Sequence, residues 1–256
     1  MTTNTYLITI SYDGSFFLGW AKQNGGKVTI QNYIEKRLEK IFLIPCKTLV
    51  CSRTDKGVHA IEQKFTFQLN IKFTRKKLLY ILKKGLCKYI LVKNVKTVSN
   101  DFLPYKNVHE KEYRYFINTG KYNIFNRKYS WEYNYPLCTK KINEFLKLFI
   151  GEHDFFNFCK WPWKLRKEKK TIRKINSIKS WKRKNILVIK ITSSGFLHHQ
   201  IRAIIGEVIR CYKKEKGKEI LENKINNINF STLKYKETAP SSGLYLWKIS
   251  YEKNNF

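Results

Sequence analysis

The sequence predicts an α+β protein made of two similar halves. Three observations predict it. Stretches that alternate apolar and polar residues occur in both halves, stretches with helical spacing alternate with them, and no Gly/Ser-rich linker or solenoid-type repeat interrupts the 256 residues. The junction falls near residues 101–111. The halves are therefore taken as 1–105 and 106–256, and without a long linker they are expected to pack closely.

In order along the chain, residues 5–12 (TYLITISY) alternate and read as a strand. The turn Asp13-Gly14-Ser15 follows, then the aromatic stretch 16–20. Residues 29–43 place Ile30, Ile34, Leu38 and Ile41/Phe42 on one helix face, with Thr29 as N-cap. A short strand at 47–51 leads into a polar loop, 52–57, and 61–69 (IEQKFTFQL) alternate again. A second helix is expected at 75–86 and a strand at 89–98. The second half repeats the rhythm: a strand at 111–119, a helix at 139–150, and strands near 171–181 and 186–194. The strongest helix, 197–213, carries an apolar stripe of Ile201, Ile204, Ile205, Val208, Ile209 and Tyr212. A helix at 217–228 and a strand at 244–251 close the chain. The basic segment 160–174 (KWPWKLRKEKKTIRK) reads as a loop, either an RNA surface or a solvated loop anchored by tryptophan.

Composition narrows the function classes. A hydrophobic fraction of 43% allows a real core. Six cysteines in a chain of this length, with no CxxC pair, argue against a disulfide scaffold or a zinc ribbon and for a reducing compartment. No apolar run approaches the ~20 residues of a membrane span, and the N-terminus lacks secretory or transit character; a cytoplasmic protein is expected. Lys and Arg total 51 against 19 Asp and Glu, a formal net charge of +32 that favours a polyanionic partner. Asn and Ile are also abundant, a bias that an A+T-rich coding sequence produces along with Lys. The ten arginines therefore carry more information per residue than the lysines.

The segment CSRTDKGVHA, residues 51–60, stands out. Asp55 lies between two cations, Arg53 and Lys56, in a loop containing a glycine. Opposite charges nearby favour an ionised carboxylate, which can serve as nucleophile or general base. Alone, an Asp-Lys-Gly loop is equally a plain turn. Other segments add to it: SYDGSFFLGWAKQ, TIQNYIEKRL, KEYRYFIN with Tyr113, FLHHQIRAIIG with Arg202, and PSSGLYL near the end.

Together these segments resemble the tRNA pseudouridine synthase A family, whose pattern runs YDG…GWQ, TVQxxIExxL, GRTDAGVHA, KEYRY, FxxHQVRNIVG and GLYL. All occur here in order and span nearly the whole chain. The resemblance implies a pseudouridine synthase fold: two related α/β halves with a continuous mixed, mostly antiparallel sheet and a central cleft. It implies an isomerase acting on uridines at positions 38–40 of the tRNA anticodon stem-loop, a homodimer, and no cofactor or metal. By residue, Asp55 matches the catalytic aspartate, Arg53 the arginine before it, Tyr113 the tyrosine that stacks on the target base, and Arg202 the arginine that pairs with the aspartate across the cleft. Tyr113, Arg53, Lys56 and His199 are taken as substrate-binding. Ser52 replaces a glycine and Lys56 an alanine of the pattern. Residues 83–90 lack the family's N-x-x-LP signature. The segment DFLPYKNV lacks its HARF stretch, so no RNA-binding residue is assigned there.

Pseudouridine formation breaks the N1–C1′ bond, rotates the uracil and rejoins it through C5. A stacked base must first be flipped out, at a few kcal/mol, and an aromatic stacking partner returns about 1–3 kcal/mol. Asp55 can attack C1′, attack C6, or remove the 2′ proton; the sequence leaves all three open. Tyr113 can also take the C5 proton, although a phenol of pKa near ~10 is a poor base at neutral pH; its bland reading is a strand tyrosine in a core. Arg202 reads alternatively as a phosphate contact or a surface ion pair. His198 and His199 have no third ligand at metal-like spacing and read as helix-entry or RNA-contacting residues, and His59 as a support for the Asp55 loop. Two other classes stay in view. One is a non-catalytic tRNA-binding protein or RNA chaperone on the same fold; the other is a general basic protein of the ribosome or nucleoid.

Overall fold

The computed structural model describes residues 3–86, 88–106, 108–160, 171–226 and 238–252. The chain divides into two compact units, Met1–His109 with Tyr245–Phe256, and Glu110–Leu244. The strand that ends the chain thus groups with the first unit, a placement absent from the sequential division at 105/106.

In the first unit, β1 (Asn4–Tyr12) lies between β4 (Ile90–Val98) and β3 (His59–Leu69), antiparallel to both. The short β2 (Leu49–Val50) pairs with β3 on one side, and β11 (Leu244–Tyr251) runs parallel to β3 through Tyr245↔His59 and Leu246↔Ala60. The sheet is therefore mixed and mostly antiparallel. Helix α1 (Ile30–Phe42) starts where expected: the Thr29 side chain accepts from Asn32 N–H, and Ile30, Ile34 and Leu38 are buried. Helix α2 (Arg75–Gly85) buries Leu78 and Leu82 and packs on β4 and α1. The segment that departs from the family's pattern has a structural task here. Phe102 meets the Tyr251 ring edge-on at 5.5 Å, and the Pro104 carbonyl accepts the Tyr251 hydroxyl at 2.7 Å.

The second unit is built on β5 (Val108–Asn118), β10 (Ile186–Ser193) and β9 (Ser177–Arg183), in that order and antiparallel throughout. The two-residue β6 (Trp131–Glu132) adds parallel to the end of β5. A separate ribbon pairs β7 (Gly151–Asp154) with β8 (Ile172–Ile175), so the strand expected near 171–181 is two strands broken at Asn176. Helix α3 (Thr139–Lys147) packs on β9 and on α4 (Gln200–Tyr212), which in turn packs on α5 (Gly217–Asn226). Residues 227 and 228 of the last expected helix, and most of the basic loop 160–174, lie outside the described residues. No described helix is long and apolar enough to cross a membrane, and none of the five described cysteines is in a disulfide.

Helix α4 is buried nearly all round, beyond the expected stripe; Ala203, Glu207 and Cys211 are buried too. A charge in that position needs partners. Glu207 receives Lys224 of α5 at 3.2 Å and the guanidinium of Arg210, and Lys224 is itself buried over the Phe158 ring. Burial pushes the Glu207 carboxyl up, but Arg210 and Lys224 together outweigh it and hold the carboxyl below its ordinary value of 4.5. A depressed folded-state pKa stabilises the fold fully above that ordinary value, and the stabilisation is lost as pH falls through the folded value. The melting temperature, followed by circular dichroism, should therefore drop as pH falls from 7 into the acid carboxylate range. Glu207→Gln, which removes the carboxylate facing the buried Lys224, should cost on the order of 3 kcal/mol at pH 7 and flatten that acid dependence.

Candidate active site

Asp55 sits on a four-residue turn between β2 and β3. The Asp55 carbonyl accepts from Val58 N–H at 3.2 Å, and Gly57, at φ +78°, supplies the left-handed conformation of the turn's third position. Arg53 and Lys56 are exposed on either side, and Asp55 itself is half-buried. The plain-turn reading of this segment thus describes its backbone correctly; what distinguishes it is how the backbone is held.

Three contacts hold it. The Gln63 amide donates to the Ser52 carbonyl at 2.6 Å, the Tyr12 and Thr54 hydroxyls are 2.7 Å apart, and Trp20 N–H donates to the Thr54 carbonyl at 3.0 Å. Tyr12, Trp20, Thr54 and Gln63 are all buried. Burial pushes the Tyr12 phenol up to about 12, against the hydrogen bonds of Thr54 and Gln63 that pull it down, so it stays neutral at any physiological pH. The glycines of the first motif make the approach possible. A Cβ on Gly14 would lie 2.0 Å from the Val58 carbonyl oxygen, and one on Gly19 (φ +92°) 3.0 Å from that of Thr54. The opening motif is the back wall of the Asp55 turn.

Two further residues tie the turn's flanks. His59 is buried, stacks on Tyr245 at 4.6 Å, and brings Nδ1 within 3.2 Å of both Gly14 N–H and Asp13 Oδ1. One nitrogen cannot accept the first and donate to the second at once, but either protonation state binds His59 to the Asp13-Gly14 turn. On the other flank, Glu35 of α1 accepts from the backbone N–H and hydroxyl of Thr48, both at 2.8 Å, and from the Gln31 amide at 3.1 Å, and it pairs with Lys22. These donors overcome the upward push of burial and keep its carboxyl below its ordinary range. Gln31 and Glu35, two of the identities in TIQNYIEKRL, thus anchor the helix to the segment that enters β2.

In the second unit Tyr113 lies on β5, opposite Ile191 of β10, buried and edge-on to Phe196 at 5.3 Å. Two residues on, Tyr115 donates to the Pro240 carbonyl at 2.7 Å. Burial pushes its phenol well above its ordinary value, opposed by the charge of Arg202. Arg202 spends Nε on the Ala239 carbonyl at 2.8 Å and one Nη on the Thr238 hydroxyl at 3.0 Å, while its own carbonyl accepts from Ala239 N–H. It therefore braces the stretch before β11. Helix α4 begins at Gln200, three residues later than the periodicity suggests. His199 takes φ +63° as its N-cap, and the buried Gln200 side chain accepts from Leu197 N–H at 2.7 Å to close the preceding turn. The rings of His198 and His199 lie 4.1 Å apart, tilted by 57°.

A family model described as tRNA pseudouridine synthase matches residues 145–252. That span holds Arg202 and His199 but leaves out Asp55 and Tyr113. Full-length relatives cover the rest. A tRNA pseudouridine synthase A of Malacoplasma penetrans is 36% identical over 249 residues, 96% of this chain and 100% of the relative. Those of Fervidobacterium nodosum and Ureaplasma parvum are 34% and 35% identical over 95% and 96% of this chain, and 98% and 99% of the relatives. The chain belongs to the tRNA pseudouridine synthase A family. It is by this membership an isomerase family protein.

Within the first unit Asp55 and Lys56 lie on the turn and Arg53 just before it; within the second, Tyr113 is in the strand layer, Arg202 is in the first turn of α4 and His199 is its N-cap. The bracing residues Tyr12, Trp20, Gln63, Gln31 and Glu35 carry no chemical signature in the sequence; the signal for them is the pair Gly14 and Gly19 beside aromatic residues, which marks close backbone approach. The bracing predicts a strong response to one methyl group. Gly14→Ala should destabilise the protein by about 2 kcal/mol, since its Cβ meets backbone that must move. Gly195→Ala, with nothing within 4 Å of its Cβ, should change stability by less than about 0.5 kcal/mol in the same thermal melts.

Proposed function

We propose that this protein isomerises uridine to pseudouridine in tRNA, at positions 38–40 of the anticodon stem-loop, as a cytoplasmic homodimer, with Asp55 as the nucleophile or base. The observation that carries the reading is the relationship to tRNA pseudouridine synthases A over 95–97% of the chain. It takes in both units, and so Asp55 and Tyr113 as well as the matched span around Arg202. The residues fit the roles. The uridine is first flipped out of its stack. Asp55 supplies the carboxylate that attacks C1′ or C6, or takes the 2′ proton. The N1–C1′ bond breaks, the uracil turns and C5 bonds to C1′, any bond to Asp55 breaking again; the C5 proton passes to a base and on to solvent, and N1 gains a proton in its place. As the family's pattern assigns them, Tyr113 offers a ring to the base and Arg202 a guanidinium. Arg53, Lys56 and His199 hold the strand. The net charge of +32 draws the polyanion in and gives an affinity that falls steeply with salt. A fold that only bound RNA has no use for a carboxylate at the turn, which favours the isomerase over the RNA chaperone.

Release of tritium from tRNA labelled at uracil C5 reads the reaction directly. Wild-type protein should release it, and Asp55→Asn and Asp55→Ala should show none above the protein-free level. Their affinity for tRNA at fixed salt should stay within about threefold of wild type, because a half-buried anion contributes little to phosphate contacts. Undiminished release by Asp55→Ala would remove the reading. A wild-type protein that binds tRNA tightly and releases nothing would install the chaperone in its place.

A further inference from the structure

We propose that Tyr12 is a positioning residue for this reaction: its hydroxyl, bonded to Thr54, fixes the backbone from which the Asp55 carboxylate is presented. The inference rests on the reading of Asp55 given above. Tyr12 acts through Thr54 and not on a reacting group.

The geometry is unusual for a strand tyrosine. β1 pairs regularly with β3 from Asn4↔Leu69 to Ile10↔Gln63, and then the register slips so that Tyr12 faces Ala60. On its other edge the register with β4 slips between Thr9↔Asn94 and Ile10↔Val92. In both cases the partner strand carries one extra residue, and such irregularities re-aim the side chains beside them. Tyr12 itself stays in step with Ile8 and Ile10, buried on the same face of β1 beside these two irregularities, and its hydroxyl reaches the residue immediately before Asp55 at 2.7 Å. The same oxygen receives the Gln63 amide at 3.4 Å, and that amide also holds the Ser52 carbonyl at 2.6 Å. Tyr12 thereby couples the tethers on Ser52 and Thr54 into one network. The ring is packed independently of the hydroxyl, 6.1 Å from the Trp20 ring, so removing the oxygen alone leaves the apolar packing intact. A purely structural tyrosine would lower the melting temperature when cut to phenylalanine and leave the rate at lower temperature unchanged. A positioning tyrosine changes the rate itself, since a displacement near 1 Å of a reacting group can cost about 100-fold.

The test is steady-state tritium release from C5-labelled tRNA, well below the melting temperature of each variant, alongside tRNA binding. Tyr12→Phe and Thr54→Val should each lower kcat about 10- to 100-fold, with KM and tRNA affinity within about twofold. The double variant should lose no more than the worse single one, because both remove the same bond. Thr54→Ser, which restores the hydroxyl, should recover most of the rate lost in Thr54→Val. Unchanged kcat in Tyr12→Phe and Thr54→Val, losses that multiply in the double variant, or a loss confined to KM would overturn the proposal. Should Tyr12→Phe fail to fold, the Thr54→Val and Thr54→Ser pair decides it. Asp55→Ala is measured in parallel: full activity there removes the reading beneath, whereas an inactive Asp55→Ala beside a fully active Tyr12→Phe removes only the role of Tyr12.

Discussion

A single hydrogen bond across a four-residue turn, Val58 N–H to the Asp55 carbonyl, is too little to keep a side chain in one place, because fixing each backbone residue costs about 1–2 kcal/mol. The turn takes its rigidity from elsewhere. Thr54 is gripped at both its hydroxyl and its carbonyl, by Tyr12 and by the Trp20 backbone, and Ser52 at its carbonyl by Gln63. These grips require backbone to approach backbone, which Gly14 and Gly19 permit and no larger residue would. Four stretches far apart in sequence, around residues 12–20, 31–35, 52–59 and 245, therefore share one constraint: the strand sheet, the start of α1 and the last strand meet around a turn whose position they jointly determine.

The buried charges obey the same rule of complete satisfaction. Glu35 has four donors, Glu112 lies 2.7 Å from Arg114 and 3.0 Å from Lys190, and Glu207 is held by Arg210 and Lys224. All three carboxyls are pushed up by burial and brought below their ordinary value by their partners. In a chain with 51 basic and 19 acidic residues, a buried carboxylate easily finds cations, and these three act as hubs inside the protein. The cations left over face solvent and give the surface its sign.

Regular elements were legible because period alone specifies them. β1, α1 with its Thr29 cap, α2, β4 and β11 appear within a residue or two of the positions that alternation and helical spacing indicate. What escaped depends on contacts between distant residues. The ribbon of β7 and β8 joins two segments that are too short and too polar to alternate visibly, and the break at Asn176 follows from its N–H donating to Thr192 across the sheet. The late start of α4 reflects His199 in a left-handed conformation, a choice that the apolar stripe downstream cannot encode. The grouping of β11 with the first unit depends on its parallel pairing with β3, nearly 190 residues away. For the site, residue types pointed to Asp55, Tyr113 and Arg202, whereas the bracing side chains looked like ordinary core. A buried tyrosine and a buried glutamine carry no local mark of what their polar atoms hold.

The sign of the charge at the turn bears on what the turn is for. Gripping RNA needs exposed cations, and a protein of formal charge +32 offers them over much of its surface without any particular backbone geometry. Asp55 is an anion, and beside a phosphate chain it weakens binding. Holding that one carboxylate nonetheless takes two glycine approaches, a buried phenol and a buried glutamine. Each of these has a conformational cost that affinity does not repay. A chemical step does repay it, since the reactivity of a carboxylate toward a ribose or a uracil ring falls off steeply with small displacements, and so the expense of the bracing is itself an argument for catalysis at residue 55.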